Sequence, residues 1–494
     1  MKPARLCRFL LAAAAVTFSI PFPLRSQEPT DTPPKPAART IPPLGSDNTQ
    51  DQVTDDNATN YRPDDRPLTG LQNPTIGVPE LRHSYWLPGF SYNNAIQSNG
   101  FSQGGGSSWV STNYLQGNLT LLEAWNRGQL GINYSGGGYF SNDSRIGSGE
   151  HQQLGLIQVL DWARWQLTFL DQFSYLPGSA FGFGVGTNLS FAGVGGSPGS
   201  ISPGLGSGLS PDQSIFSSSG PRFSNAFGSQ VNYLLSRRSS LTLGGVFGIL
   251  RFTNSGNVNN FANIESNDVV LNAGYNYAIT RKDTVGVVYR FSAYHFLGQP
   301  QAIGDHSPQL SYGRKITGRL ALQLSGGAEI TTFRVPVGGE THHVGGAGHA
   351  SFNYAFKRGG VDLSYSHGVT SGSGIFLGAT TDQIRLDTNR QLTRQWNGNV
   401  QGGYARNRNV VSGAIGLPGV TGTNSASASY DSFYFGAGAS RPLGRNLNFT
   451  SAYTAYIQHT NAGATCVIGT CGTNYTSHQI TLGLSWHTRP FVLR

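Results

Sequence analysis

The chain has 494 residues, of which 12% are charged and 11% aromatic, with 67 glycines, one methionine and a formal net charge of +9. Soluble proteins carry about 25% charged residues, so this density argues against an ordinary soluble domain. No apolar stretch reaches the ~20 residues of a spanning helix, and the cations are scattered over turns with no binding module, so neither a helical membrane protein nor a nucleic-acid binder is indicated.

Residues 1–26 read as a secretory signal. Lys2, Arg5 and Arg8 form its basic region, Phe9 to Ile20 its apolar core, and cleavage is expected after Ser26. Cys7 precedes the apolar core, so it is not a lipoprotein cysteine. Residues 27–80 are rich in Pro, Asp, Thr and Asn and nearly devoid of large apolar side chains. They cannot bury enough surface to fold alone and read as a disordered periplasmic linker. Its last part, RPLTGLQNPTIGVPELRH, is expected to be partly ordered against a barrel mouth.

From about Tyr85 to Trp486, apolar and polar residues alternate. In QITLGLSWH, Ile480, Leu482, Leu484 and Trp486 share one face; Gln479, Thr481, Gly483 and Ser485 share the other. In VVLNAGYNYAIT, Val269, Leu271, Ala273, Tyr275, Tyr277 and Ile279 fall on one face, with Asn272, Gly274, Asn276 and Thr280 opposite. Val285, Val287, Tyr289 and Phe291 continue that apolar face after the TRKD turn, and Leu320, Leu322, Leu324 and Ala328 repeat it. Such strands suit a sheet between lipid and a wet lumen. A secreted β-solenoid or sandwich is the weaker alternative.

Connection length alternates too. Short basic turns fall at 125–128, 161–164, 237–239, 281–283, 314–319, 357–360, 390–394 and 441–445. Long Gly/Ser/Asn-rich loops fall near 98–112, 140–151, 177–221, 253–267, 297–308, 332–348, 368–381, 407–430 and 459–477. Short periplasmic turns and long outer loops characterise bacterial barrels. The pattern predicts an all-β fold: a transmembrane antiparallel up-and-down β-barrel of about 18 strands over residues 81–494, or 16 should a weak strand fail. Trp125, Trp162, Trp165, Trp396 and Trp486 lie near turns, where aromatic girdles belong. In WQLTFLDQFSYLP the phase aims Asp171 at lipid; a bulge or a place at the outer rim are the two resolutions.

The signal, the Pro-rich tail, basic turns such as GRKITGR and SRPLGR, and an aromatic C-terminal strand together resemble the large porin-like outer-membrane β-barrel proteins of Gram-negative bacteria. The resemblance implies export to the outer membrane, lipid neighbours and handling by the barrel assembly machinery. The ending departs from that pattern: Trp486 is followed by HTRPFVLR, so the aromatic read during assembly is Phe491 or Trp486, or the extension folds back.

Most barrel-region cations lie at the periplasmic turns: Arg127, Arg164, Arg237, Arg238, Arg281, Lys282, Arg314, Lys315, Arg319, Lys357, Arg358, Arg390, Arg394, Arg441 and Arg445. A like-charged ring at a pore mouth concentrates counter-ions; the plainer reading is contact with inner-leaflet phosphates. Arg290, Arg385 and Arg406 are the candidate lumen cations, with Asp362, Asp387 and Glu329 as candidate partners. They form either a selectivity element or salt bridges that stiffen the wall. The outer loops carry few cations, so no lipopolysaccharide patch is evident. Loop 177–221 invites comparison with the inward-folded third loop of general porins, but holds only Asp212 in place of their acidic cluster. A lid or display loop is the other reading. Cys466 and Cys471, in CVIGTC, are expected to form a small-loop disulfide.

Signals for chemistry are weak. His306, His342, His343 and His349, with Asp305 and Glu340, match no metal-site spacing. His367 and Asp382 flank one loop, like a fragment of a triad. No enzyme, cofactor or metal is expected. The expected function is a porin-like channel passing anionic solutes, or exporting an acidic exopolysaccharide. The alternative is a non-conducting structural, adhesive or display barrel. The oligomeric state stays open.

Overall fold

The computed structural model describes residues 84–98, 109–143, 147–176, 182–183, 215–216, 222–253, 265–298, 302–335, 339–371, 378–410, 429–461 and 475–493. The signal, the linker, most of loop 177–221 and both cysteines of CVIGTC lie outside them.

Among the described residues the regular structure is β, with no helix. The first strands are β1 (Ser84–Ser98), β2 (Trp109–Trp125), β3 (Gly128–Ser141), β4 (Ser148–Asp161) and β5 (Trp165–Leu176). The two-residue strands β6 (Gly182–Phe183) and β7 (Ile215–Phe216) pair with each other. Then come β8 (Arg222–Leu234), β9 (Ser239–Phe252), β10 (Ser266–Ala278), β11 (Asp283–Phe296), β12 (Ala302–Thr317) and β13 (Leu320–Val335). The chain continues through β14 (Gly339–Phe356), β15 (Gly359–Thr370), β16 (Ala379–Gln391), β17 (Asn397–Asn409), β18 (Ser429–Pro442), β19 (Leu447–Asn461) and β20 (Tyr475–His487), ending on β21 (Phe491–Leu493).

Every long strand pairs antiparallel with its neighbours in sequence, β5 with β8 across the long loop, and β20 closes onto β1. β1–β5 and β8–β20 therefore form a closed barrel of eighteen strands. Closure leaves no row of unpaired backbone groups to face lipid, which a spanning sheet requires. The extension after Trp486 folds back: β21 pairs with the start of β1, and the Phe491 ring packs on Trp86 at 5.0 Å between centroids.

The two faces follow the alternation. On β10 and β11, Leu271, Tyr275, Val287 and Tyr289 are exposed outward, while Asn272, Asn276 and Ser292 are buried inward. Outward Leu115, Leu243, Phe247, Leu310, Leu324, Leu482 and Leu484 continue the apolar belt on other strands. Trp125, Trp162, Trp165 and Trp486 are exposed beside the short turns.

Two expected loops are shorter than their sequences suggest. The connection expected over 332–348 shrinks to residues 336–338, because Thr331 to Val335 pair with His343 to Gly339. Gly339 takes a φ of 80°, a left-handed conformation that favours glycine. Likewise β12 starts at Ala302, inside the expected loop 297–308. Both strands run above the apolar belt, where alternation fades but backbone pairing continues.

No bulge relieves Asp171: β5 stays in register with β4 and with β8 from end to end. Asp171 lies opposite Leu156 and outward-facing Phe227, on the outer face, and Asn225 Nδ2 donates to its carboxylate at 2.7 Å.

Candidate functional site

Inward positions are mostly Ser, Thr, Asn, Gln and Gly, and the inner wall is not uniform. Along β8–β12 its polar side chains are sealed from solvent: Gln230 is 1%, Thr242 0% and Asn276 1% exposed. Along β15–β17 the wall is open, with Asp362 exposed and Ser364, Arg385, Asp387 and Gln401 partly exposed.

Five of the six candidate lumen residues face inward. On β11, Arg290 stands between Asn272 of β10 and Ser307 of β12. The next inward position on β12, Asp305, is opposite Ser292 and accepts a hydrogen bond from Thr331 Oγ1 at 3.0 Å. Inward Asp268 on β10 is also buried. Glu329 on β13 is buried, and the Val369 backbone N–H of β15 donates to its carboxylate at 2.8 Å. The Val369 carbonyl accepts from Tyr294 Oη at 3.2 Å. Tyr294, Phe296, Ile303, Phe333 and Val369 pack around this point as an apolar cluster inside the barrel.

The second group sits on the open wall. Arg385 Nε lies 2.5 Å from Asp387 Oδ2, and Arg385 Nη2 lies 3.3 Å from Oδ1. This two-point geometry fits a planar guanidinium to a carboxylate. Asp362 of β15 is opposite Asp387 in register. Arg385 itself lies opposite Gly403, and the Tyr434 ring of β18 occupies the space where a side chain there would begin, so Arg385 is only partly exposed.

Arg406 departs from the expectation. It pairs in register with Asp382 and Asp431 on the outer face, and its Nε lies 3.8 Å from Asp431 Oδ1. The physical reason is the low contrast of β17, NGNVQGGYARNRN, where Gly and polar residues occupy both faces. Arg408, His367 and Tyr365 surround Asp382 on the same outer face, at 2.9, 2.6 and 3.1 Å. The His367–Asp382 pair thus belongs to an outward ion network near the outer rim.

The expected periplasmic cations all lie at or within a few residues of the short turns. Arg314 pairs with Asp283 at 3.6 Å, and the Arg441 guanidinium sits 5.6 Å from the centre of the Trp396 ring. His306, His342, His343 and His349, which the sequence puts in or near loops, sit on β12 and β14. His306 and His342 bond outward-facing Tyr289 and Thr332, whereas His343 and His349 occupy the opposite phase. Among the described residues no group of three His, Cys, Asp or Glu side chains is placed to hold a metal ion.

Several polar contacts were not foreseen in the sequence. His151, fully buried on the inner face, lies 2.8 Å from Gln116 Oε1. The only local signal was a histidine in the inward phase of β4; its partner is two strands away.

A closed antiparallel barrel with an apolar outer belt, a polar inner wall and basic turns at one end has the architecture of an outer-membrane β-barrel. No protein-family model matches the chain, and no curated protein matches it. Solved structures with a similar strand arrangement include Pseudomonas aeruginosa OpdQ, at 12% identity and a TM-score of 0.37, over 83% of this chain and 98% of that one. The outer membrane protein opdK of the same organism gives 10% identity and a TM-score of 0.39 over 82% and 99%. Acinetobacter baumannii OccAB4 gives 10% identity and a TM-score of 0.38 over 83% and 99%.

Proposed function

We propose that the barrel is a passive outer-membrane channel for small polar solutes, with a weak preference for anions set at its periplasmic mouth. The observation that carries this reading is the open inner sector along β15–β17, where Asp362, Ser364, Arg385, Asp387 and Gln401 face the lumen. A solute moving along it exchanges water for hydroxyl, amide and charged groups at similar cost, which passage requires.

The charge preference has two opposed sources. The cations at the periplasmic turns draw anions to that end. Above those turns, the described inner wall carries Arg290 and Arg385 against Asp268, Asp305, Glu329, Asp362 and Asp387, which work the other way. That balance favours small solutes whose charge is met one group at a time. Export of a long acidic exopolysaccharide gains no support from such a wall.

The test is the conductance of refolded protein in a planar bilayer, with the reversal potential read in a salt gradient. Open steps of weak anion preference, moved toward cations when Arg281, Lys282 and Arg319 become Ala, support the reading. A cation-selective pore removes the anion preference and leaves the channel. A folded, silent barrel overturns the channel and returns the structural or adhesive alternative, which the sealed wall of β8–β12 favours.

A further inference from the structure

The outer wall is apolar at membrane depth along β9–β13, where Leu243, Phe247, Leu271, Tyr275, Leu310 and Leu324 face lipid. The wall of β4, β5 and β8 differs. Its outward rows, read across the three strands from the periplasmic side, are Gln158–Phe169–Ser229, Leu156–Asp171–Phe227 and Leu154–Phe173–Asn225. Asp171 is the sixth residue along β5 after Trp165. At ~3.3 Å per residue and a tilt near 40°, that is about 15 Å above the turn and inside the ~25 Å apolar band. Asn225 is the one described side chain that bonds it, its Nδ2 donating to Asp171 Oδ1 at 2.7 Å. A carboxylate here, with an amide beside it and phenylalanines around it, is out of place against lipid tails, which offer no donor. Ionisable groups at membrane depth mark sites of interaction.

We propose that this face of β4, β5 and β8 is the contact between two copies of the chain. The patch is self-complementary: it holds a carboxylate acceptor and the amide donors of Asn225 and Gln158. In a membrane, a two-fold axis runs along the bilayer normal, so residues of equal depth meet. An axis between β5 and β8 sets β5 of one copy against β8 of the other. Asp171 then faces the stretch of the partner's β8 between Ser229 and Asn225, whose hydroxyl and amide can donate to its second oxygen. Phe227, 49% exposed, lies beside the axis and is covered by β5 of the other copy. Interstrand polar contacts and close packing drive association between membrane segments, where the hydrophobic effect does not.

The experiment uses the full-length mature protein with Cys466 and Cys471 replaced by Ser, reconstituted in lipid vesicles and treated with a short thiol cross-linker. Phe227→Cys is expected to give cross-linked dimers; Phe435→Cys, outward on the far wall of β18, gives none. In mild detergent, Asp171→Leu with Asn225→Leu weakens the dimer roughly three- to twentyfold by mass measurement, the range of one membrane hydrogen bond or two. The same change removes a charge from the lipid face, so the barrel still folds, as a heat-modifiable gel band records. Asp171→Asn keeps the hydrogen bonding and keeps the dimer. Equal cross-linking at Phe227 and Phe435, a monomer at all protein-to-lipid ratios, a trimer, or a dimer indifferent to the double substitution each overturns the proposal.

Discussion

The carboxylate of Glu329 on β13 holds the backbone N–H of Val369 on β15, 40 residues later in the chain, at 2.8 Å. β14 lies between those strands, but its pairing with β15 stops at Gly348–His367, while its pairing with β13 continues to Gly339. The outer end of β15 therefore parts from β14 while staying paired with β16 to Thr370, and it is tied to the inner face by Glu329 and by Tyr294 through the Val369 carbonyl. Gly368 permits the approach, since its nearest neighbour where a side chain would begin is that same carboxylate.

Glu329→Ala should free this segment. The expected result is a noisier open state with altered conductance in a planar bilayer, whereas Glu329→Gln, which keeps an acceptor for the amide, stays near the parent protein. Identical traces for the Ala variant and the parent would remove Glu329 from any role in shaping the lumen.

On the open wall, Arg385 binds Asp387 while Asp362 stands opposite. Arg385→Ala leaves two neighbouring carboxylates without their cation. The reversal potential should move toward cations, and Arg385→Ala with Asp387→Asn should move it back. The two changes share a partner, so their effects do not add.

Leu271, outward on β10 and 49% exposed, faces lipid near mid-strand. Leu271→Arg should destabilise the barrel by about 2–4 kcal/mol, read from denaturant unfolding in vesicles. Asn272→Ser, one residue on and facing inward, should cost about 0.5–1.5 kcal/mol, the worth of one buried hydrogen bond, because it places no charge against lipid.

Phe491 packs its ring on Trp86 where β21 meets β1. Phe491→Ala should lose about 0.5–1.5 kcal/mol of ring contact and loosen the folded-back end. Faster proteolysis after Trp486, with the barrel intact, is the observable.

The membrane-depth strands were legible in the sequence because lipid and lumen impose opposite chemistries on neighbouring residues. Val269 to Tyr277 and Val285 to Phe291 show that contrast with little interruption, so their faces could be read before any partner was known. β17 could not be read that way: Tyr404, Arg406 and Arg408 share a face with Val400 and Gly402, and what fixes Arg406 outward is Asp382 and Asp431 on strands before and after it. The same holds for the upper halves of β13 and β14, where the backbone pairs on after the apolar alternation has ended. Asp171 lies between these cases. Its phase was legible and its destination was lipid, yet its partner Asn225 lies 54 residues away across the long loop.

The bond from Gln97 Nε2 to Ser477 Oγ joins residues 380 apart, at the seam where β20 meets β1. Every other joint in the ring can form as soon as two successive strands exist; this one waits for the last. Until then β1 and the newest strand each present an open hydrogen-bonding edge, the surface on which sheets aggregate. So late a contact is slow to find unaided. Biogenesis thus reduces to guarding two edges of one growing ribbon, and damage to the seam, on either of its two strands, should cost yield of folded protein before it costs anything the finished barrel does.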